Sequence, residues 1–452
     1  MNISPLLKDG IKDVISGVMK PSEWASLCCD MIELLDKELG AWSYYDRTLV
    51  TNFATKLDET KWKKARPNPS LAGAPIGVKD IFNTADHPNS MGSRAREGYW
   101  PGNDARVITW AKLLGAQIIG KTTTAEFAVD CAPNTISPWN RNIMPGTSST
   151  GSAVAVATGM VPAALSSQSA GSIARPSSYN GVIGFKPSFG LIPRTGVLKT
   201  CDTLDTIGWM TRSVEDSQII FEALRVKGKS YPLVERGIKR NNERFSNTSL
   251  YKVGVLSAPG GENIESHTAS KFNQLLLQLN NKKNIALIDI DLNKTLSKAH
   301  DTHAKIYDKN LAYYFKRELK NIEFISPIFK EIVERAEQIS TTEYFEALEY
   351  QEKLVEIIND NFNDVDFYIL PTTGGEAPKL DQIERQDSSL IWTLVGCPII
   401  SLPILSGPNF YPVGLTVVGP KYSDLELHQF AYNELMPEPA KIHIPEWQKV
   451  SS

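Results

Sequence analysis

The 452 residues allow a large buried core, and 48 basic against 51 acidic residues leave a formal net charge of −3, which gives no general pull toward nucleic acid or an anionic membrane surface. Lys8, Asp9, Lys12 and Asp13 interrupt the apolar residues of the N-terminal stretch, so neither a signal-peptide core nor a membrane span can be read there and a cytoplasmic protein is expected. Cys28, Cys29, Cys131, Cys201 and Cys397 are odd in number and lack metal-ligand spacing; reduced thiols are expected, and no cofactor.

In chain order, residues 1–40 carry two helical stripes, Ile11, Val14, Ile15, Val18 and Met19, then Leu27, Met31, Leu34 and Leu35 after a helix start at Pro21. Core packing is their expected role, and their apolar faces also suggest a homodimer. Trp62 to Pro69 reads as a solvated basic loop with no nucleic-acid contact. Ala74 to Val78 is a short strand that delivers Lys79 at its end. A buried lysine is usually in an ion pair, but burial without a carboxylate would lower its pKa and make it a base near neutral pH. Contact with Asp80 would keep it charged; strand alternation sends the two side chains to opposite faces. Asp104 is expected to cap a helix running to Leu114, with Gly115 ending it and Ala116 to Gly120 forming the next strand, a parallel βαβ step.

The stretch from Pro145 to Pro176 is the most informative. It runs from a small, Ser-dense loop (Gly146 to Gly151) through a helix of Ala and Val (Ser152 to Gly159) and a strand (Ala163 to Ser167) into a second such loop (Gln168 to Ser172). Either loop alone would read as a packing joint. Gly151-Ser152-Ala153 lacks the lysine of a phosphate-binding loop. The small residues Ala170 and Gly171 let backbone N–H groups face a ligand, as an oxyanion hole requires.

Farther on, Val182 to Phe185 reads as a strand, and a helix starting at Thr211 to Asp216 turns Val214, Ile219, Ile220 and Leu224 inward. Polar Glu235 to Thr248 reads as an exposed loop, and the strands Lys252 to Leu256 and Ala286 to Ile290 flank a helix around Phe272 to Leu279. Leu296 to Phe362 forms an amphipathic helical layer; His300 and His303, one turn apart, are not read as a metal site because no His-Glu-x-x-His pattern accompanies them. A core-facing helix side is expected to account for most of Tyr307, Tyr313, Tyr314 and Phe315, with one or two lining an acyl pocket. A strand Phe367 to Leu370 ends in Pro371 to Gly375, strands at Ile399 to Leu402 and Val413 to Val418 follow, then a helix Ser423 to Leu435 and a loosely packed tail after Pro437. The expected organisation is N-terminal helices at 1–40, one α/β unit at 41–436, and a tail at 437–452.

None of the six histidines lies near Ser172 in sequence, and there is no Gly-x-Ser-x-Gly elbow. Pro145 to Ala153 and Ala170 to Pro176 instead resemble, in order and spacing, the signature of the amidase signature family of serine hydrolases. Gly77-Val78-Lys79-Asp80, Gly120 to Phe127, Ser137 to Asn140, Gly184 to Pro187 and Pro412 to Leu415 extend the resemblance over most of the chain. It implies a single α/β/α domain with a large, mixed, twisted sheet covered by helices on both faces. It also implies Ser172 as nucleophile, Ser148 as the serine after a cis peptide bond, and Lys79 as the base of a relay. Backbone N–H groups of Ser169, Ala170 and Gly171, with that of Ser172, would hold the oxyanion, and Ser149 and Arg175 would touch substrate.

Two positions depart from the family pattern: Gln168 stands where Asp is usual, and Ala174 where many members carry arginine, displaced here to Arg175. The activity implied is cleavage of a small carboxamide through an acyl-enzyme, with neither nucleic acid nor membrane as partner. Two other readings stand beside it. One is the glutaminase component of a tRNA-dependent amidotransferase, its A subunit, against which the Gln168 and Arg175 departures weigh. The other is a biosynthetic acyl-transferring relative.

Overall fold

The computed structural model describes residues 3–64, 70–129, 135–246, 248–260, 263–382 and 384–446. Eleven strands form the sheet: β1 (Trp42–Tyr45), β2 (Pro75–Lys79), β3 (Gln117–Thr122), β4 (Ala163–Gln168), β5 (Ile183–Lys186), β6 (Thr206–Thr211), β7 (Tyr251–Ser257), β8 (Ile285–Asp291), β9 (Phe367–Pro371), β10 (Ile399–Ser406) and β11 (Pro412–Val418). Their order across the sheet is β1-β3-β2-β4-β6-β5-β10-β11-β9-β7-β8. β2 runs parallel to both β3 and β4, as β7 does to β8 and β9, and the remaining pairs are antiparallel. This is the large mixed sheet expected. Every residue of β2, β3 and β4 is buried, because helices cover both faces and leave these strands no solvent side.

One face is covered by the helices Leu7–Ser16 and Pro21–Leu39 with Val214–Leu224, and the other by Ala299–Tyr314 and Thr341–Asn361. Both backbone N–H groups at the start of the first helix, Leu7 and Lys8, donate to the Asp216 carboxylate. The Trp24 indole N–H donates to Ser4 Oγ. Ile11, Val14, Met31 and Leu35 are buried while Val18 and Leu34 face solvent, so most of the apolar surface that suggested a dimer lies in the core. Among the described residues no helix is long and apolar enough to cross a membrane.

Four expectations are corrected. Polar Glu235 to Thr248 is mostly helix, Pro232–Phe245, started by Pro232 and held by a buried stripe of Val234, Ile238 and Asn241, one residue per turn; Asn247 lies outside the described residues. Asp104 does not cap the helix Arg106–Leu113, whose cap is Ala105; its carboxylate accepts from Ala85 N and Lys112 Nζ. The basic loop begins with a 3-10 turn, Trp62–Lys64, and its remainder at 65–69 lies outside the described residues. The tail is anchored as far as His443: Ala440 N donates to Arg212 O, His443 N to Ala157 O, and the His443 ring stacks on Trp139 at 3.7 Å. Residues 447–452 and Cys131 lie outside the described set. The other four cysteines are buried free thiols, and burial pushes Cys28, Cys201 and Cys397 up to about 12.

Candidate active site

β2 and β4 run side by side and parallel, with Val78 opposite Leu165, so both strands deliver their last residues to the same edge of the sheet. There Lys79 meets the end of β4, Ser167 and Gln168. The helix Thr150–Ala157 packs against this edge. Gly151 at its first turn is required by space: a Cβ would stand 2.3 Å from Ala41 O and 2.4 Å from Thr123 N. In the preceding loop the Thr147–Ser148 peptide bond is cis, and Gly146 has φ +86°.

The loop of Ser148 is tied to the loop of Ser172. Asn180 Nδ2 donates to Pro145 O and to Pro176 O, each at 2.8 Å. The Gly146 backbone lies so close to Pro176 that a Cβ would come within 2.8 Å of its Cα.

Lys79 is fully buried. Its Nζ lies 2.8 Å from Ser148 Oγ, 2.9 Å from Ser149 Oγ and 3.3 Å from Ser167 Oγ. Among the described residues no carboxylate lies within ion-pair distance of it; burial takes its pKa down to about 7, opposed only by the charge of Asp205. The Asp80 carboxylate points elsewhere, accepting from Ser90 N and Oγ and pairing with Lys121 at 3.3 Å. An amine held by hydroxyls alone can release and recover a proton near neutral pH.

Ser172 is partly exposed. Among the described residues no hydrogen bond joins its hydroxyl to Ser148, so the structure brings Lys79 and Ser148 together and leaves the nucleophile candidate outside that pair. No hydrogen bond of the described residues uses the N–H of Ala170, Gly171 or Ser172 either. Ser149 is fully buried, its hydroxyl donating to Ser167 O at 3.3 Å. Arg175 is held by Glu384 and Asp387, each at 2.8 Å. Both residues expected to touch substrate are therefore engaged by the protein itself.

Gln168 replaces the usual carboxylate with a neutral acceptor. Its Oε1 accepts from Ile173 N at 2.9 Å and Ala174 N at 3.0 Å, and its Nε2 donates to Thr393 Oγ1 at 3.0 Å. Reading the sequence did not find Ser167, Thr393 or His303 as parts of this site. The Ser166-Ser167-Gln168 strand end was a local signal for the first. The other two arrive from 225 residues after Gln168 and 134 after Ser169, with no local signal. His300 and His303 address backbone carbonyls, Asp387 O and Ser169 O.

Fold and candidate site together give an α/β protein with a buried lysine held by the hydroxyls of Ser148 and Ser149 from one loop and of Ser167 at the end of β4. The model of the Amidase family matches residues 23–427, and the chain belongs to that family. It is an enzyme acting on amide C–N bonds.

The A subunit of the glutamyl-tRNA(Gln) amidotransferase of Endomicrobium trichonymphae is 27% identical, over 94% of this chain and 96% of that protein. Among solved structures, an amidase superposes with TM-score 0.82 at 24% identity, covering 94% of this chain and 98% of its own. The A subunit of the glutamyl-tRNA(Gln) amidotransferase of Thermotoga maritima does so with TM-score 0.75 at 23% identity, covering 94% and 95%.

Proposed function

We propose that the chain cleaves the side-chain amide of glutamine, acting as the glutaminase component of a tRNA-dependent amidotransferase, with Ser172 as nucleophile. The observation that carries the chemistry is the Lys79 amine 2.8 Å from Ser148 Oγ, buried and, among the described residues, without a carboxylate partner. Neutral Lys79 takes the Ser148 proton while Ser148 takes that of Ser172, whose oxygen attacks the amide carbon. The resulting oxyanion is held by N–H groups of Ser169, Ala170, Gly171 and Ser172. Run backwards, the relay gives the proton to the departing nitrogen, which leaves as ammonia, and water then resolves the acyl-enzyme.

The choice of glutamine rests on the amidotransferase relatives, similar over nearly their whole length. The two departures that weighed against this reading have structural explanations: Gln168 braces its own loop, and Arg175 is tied to Glu384 and Asp387. In this role the enzyme works in the cytoplasm and hands ammonia to a partner protein.

Ammonia release by the purified chain from L-glutamine, compared with acetamide, benzamide and other simple amides, tests it. Glutamine cleavage that rises with the partner protein, and is lost in Ser172→Ala, is the expected result. Rapid turnover of simple amides with none of glutamine would instead make it a stand-alone amidase. A long-lived adduct on Ser172 by intact mass, without hydrolysis, would mark an acyl carrier.

A further inference from the structure

The three peptide units between Ser169 and Ser172 are each gripped by their carbonyl. Ser169 O accepts from His303 Nε2 at 2.8 Å. Ala170 O accepts from Thr393 Oγ1 at 2.8 Å. Gly171 O accepts from Arg175 N at 2.9 Å, a bond of the local helix start. In a planar trans peptide the C=O and the N–H point in opposite directions. A carbonyl fixed against the protein body therefore aims the following N–H away from it, and the N–H groups so aimed are those of Ala170, Gly171 and Ser172.

The first two grips come from outside the loop. His303 sits on the helix Ala299–Tyr314 and is almost fully buried, with the Tyr307 ring centroid 5.5 Å away. A carbonyl can only accept, so Nε2 carries the proton. Thr393 sits on the helix Ser389–Leu394, fully buried.

Its hydroxyl has a choice of acceptors, Ala170 O or Ser389 O at 3.4 Å. Gln168 decides. Two backbone donors fix its Oε1, so its Nε2 faces Thr393 and donates, which leaves the threonine proton to a carbonyl, and Ala170 O at 2.8 Å is the nearer. A carboxylate at position 168 could accept from the same two backbone groups but would draw the threonine proton to itself.

We propose that His303 and Thr393 are positioning residues of the oxyanion hole, each holding a peptide unit so that its N–H faces the tetrahedral intermediate, with Gln168 setting the direction of the Thr393 hydroxyl. The proposal rests on Ser172 being the nucleophile, and a substrate-independent probe separates the two. An alkyl fluorophosphonate forms an O–P bond with a nucleophilic serine and expels fluoride, its phosphoryl oxygen taking the oxyanion position.

The expected result is labelling of the wild-type chain at Ser172, confirmed by peptide mapping. Thr393→Val, Gln168→Glu and His303→Phe should each lower the maximal labelling rate about tenfold or more, with half-saturating probe concentration unchanged. That loss is a fraction of the ~10²–10³ attached to deleting a donor outright. Thr393→Ser, which keeps the hydroxyl, should stay within about twofold of wild type. Gln168→Glu combined with Thr393→Val should be no slower than Thr393→Val alone, because both act through one hydroxyl. Gln168→Glu changes shape least and remains the decisive variant should Thr393→Val fail to fold.

Labelling at the wild-type rate in both Gln168→Glu and His303→Phe would overturn the proposal and leave the nucleophile standing. Absence of labelling at Ser172 in the wild type would overturn the nucleophile, and the proposal with it.

Discussion

Two buried lysines stand at or next to the ends of neighbouring parallel strands. Lys79 closes β2 and Lys121 lies on β3 with Val78 as its register partner; neither is exposed to solvent. Burial lowers both, Lys79 to about 7 and Lys121 to about 8. Their surroundings differ in kind. Lys121 Nζ faces Phe82 O at 2.6 Å, Pro88 O at 3.4 Å and the Asp80 carboxylate at 3.3 Å, groups that only accept and so require a protonated amine. Lys79 faces three hydroxyls, which can donate as readily as they accept. Depth of burial does not separate a base from a structural cation; the chemistry of the surrounding atoms does.

The sharpest way to break this comparison is to replace each lysine with methionine, which keeps the stem and removes the charge. Lys79→Met should lower amide hydrolysis about 10³-fold, within the range a positioned base supplies, while the melting temperature stays at or above that of the wild type. Lys121→Met should do the reverse, costing about 3–5 kcal/mol in urea unfolding because Asp80 is left buried without its partner, with activity per folded molecule retained. Adding Asp80→Asn to Lys121→Met should recover part of that stability. Equal losses of activity in the two single variants would end the distinction.

A pH series sharpens it further. With Lys79 near 7, kcat/KM should rise about tenfold per pH unit below that value and level off above it. The stability consequence has the same sign. Between about 7 and the 10.5 of an unfolded lysine, the unfolded chain binds more protons than the folded one, so the contribution of this group to stability rises with pH. Its penalty is complete below pH 7 and relieved across that window. Lys79→Met should accordingly exceed the wild type in stability by more at pH 6 than at pH 9, measured by denaturant unfolding at the two values.

What could be read from the chain beforehand follows the range of the interactions. β2 and β4 were legible because each is a short apolar run, and Lys79 because it closes one of them. β6 was not: Thr206-Ile-Gly-Trp-Met-Thr211 shows no alternation, since the strand is buried on both faces between β4 and β5. The helix Pro232–Phe245 hid behind a polar average, its signal confined to three buried positions. Asp104 shows a local pattern losing to a distant partner, its carboxylate going to Ala85 and Lys112 in place of the adjacent helix. His303 and Thr393 were out of reach altogether, because nothing near either residue indicates that it ends against the Ser169–Gly171 backbone.

The mildest change tests whether the hydroxyl shell of Lys79 depends on how its loop is seated. Gly146 (φ +86°) and Gly17 (φ +84°) share a left-handed backbone, so alanine at either position should cost a similar ~1–2 kcal/mol. They differ in what the new methyl group meets: at Gly17 nothing lies within 4 Å, whereas at Gly146 it would stand 2.8 Å from Pro176 Cα. Gly146→Ala must therefore also push the Ser148 loop away from the chain that follows Ser172, and should lower kcat several-fold. Gly17→Ala should lose the stability alone. If both variants kept wild-type kcat, the seating of Ser148 against Pro176 would have no part in holding the hydroxyls on Lys79, and the local chemistry of the strand end would account for the base by itself.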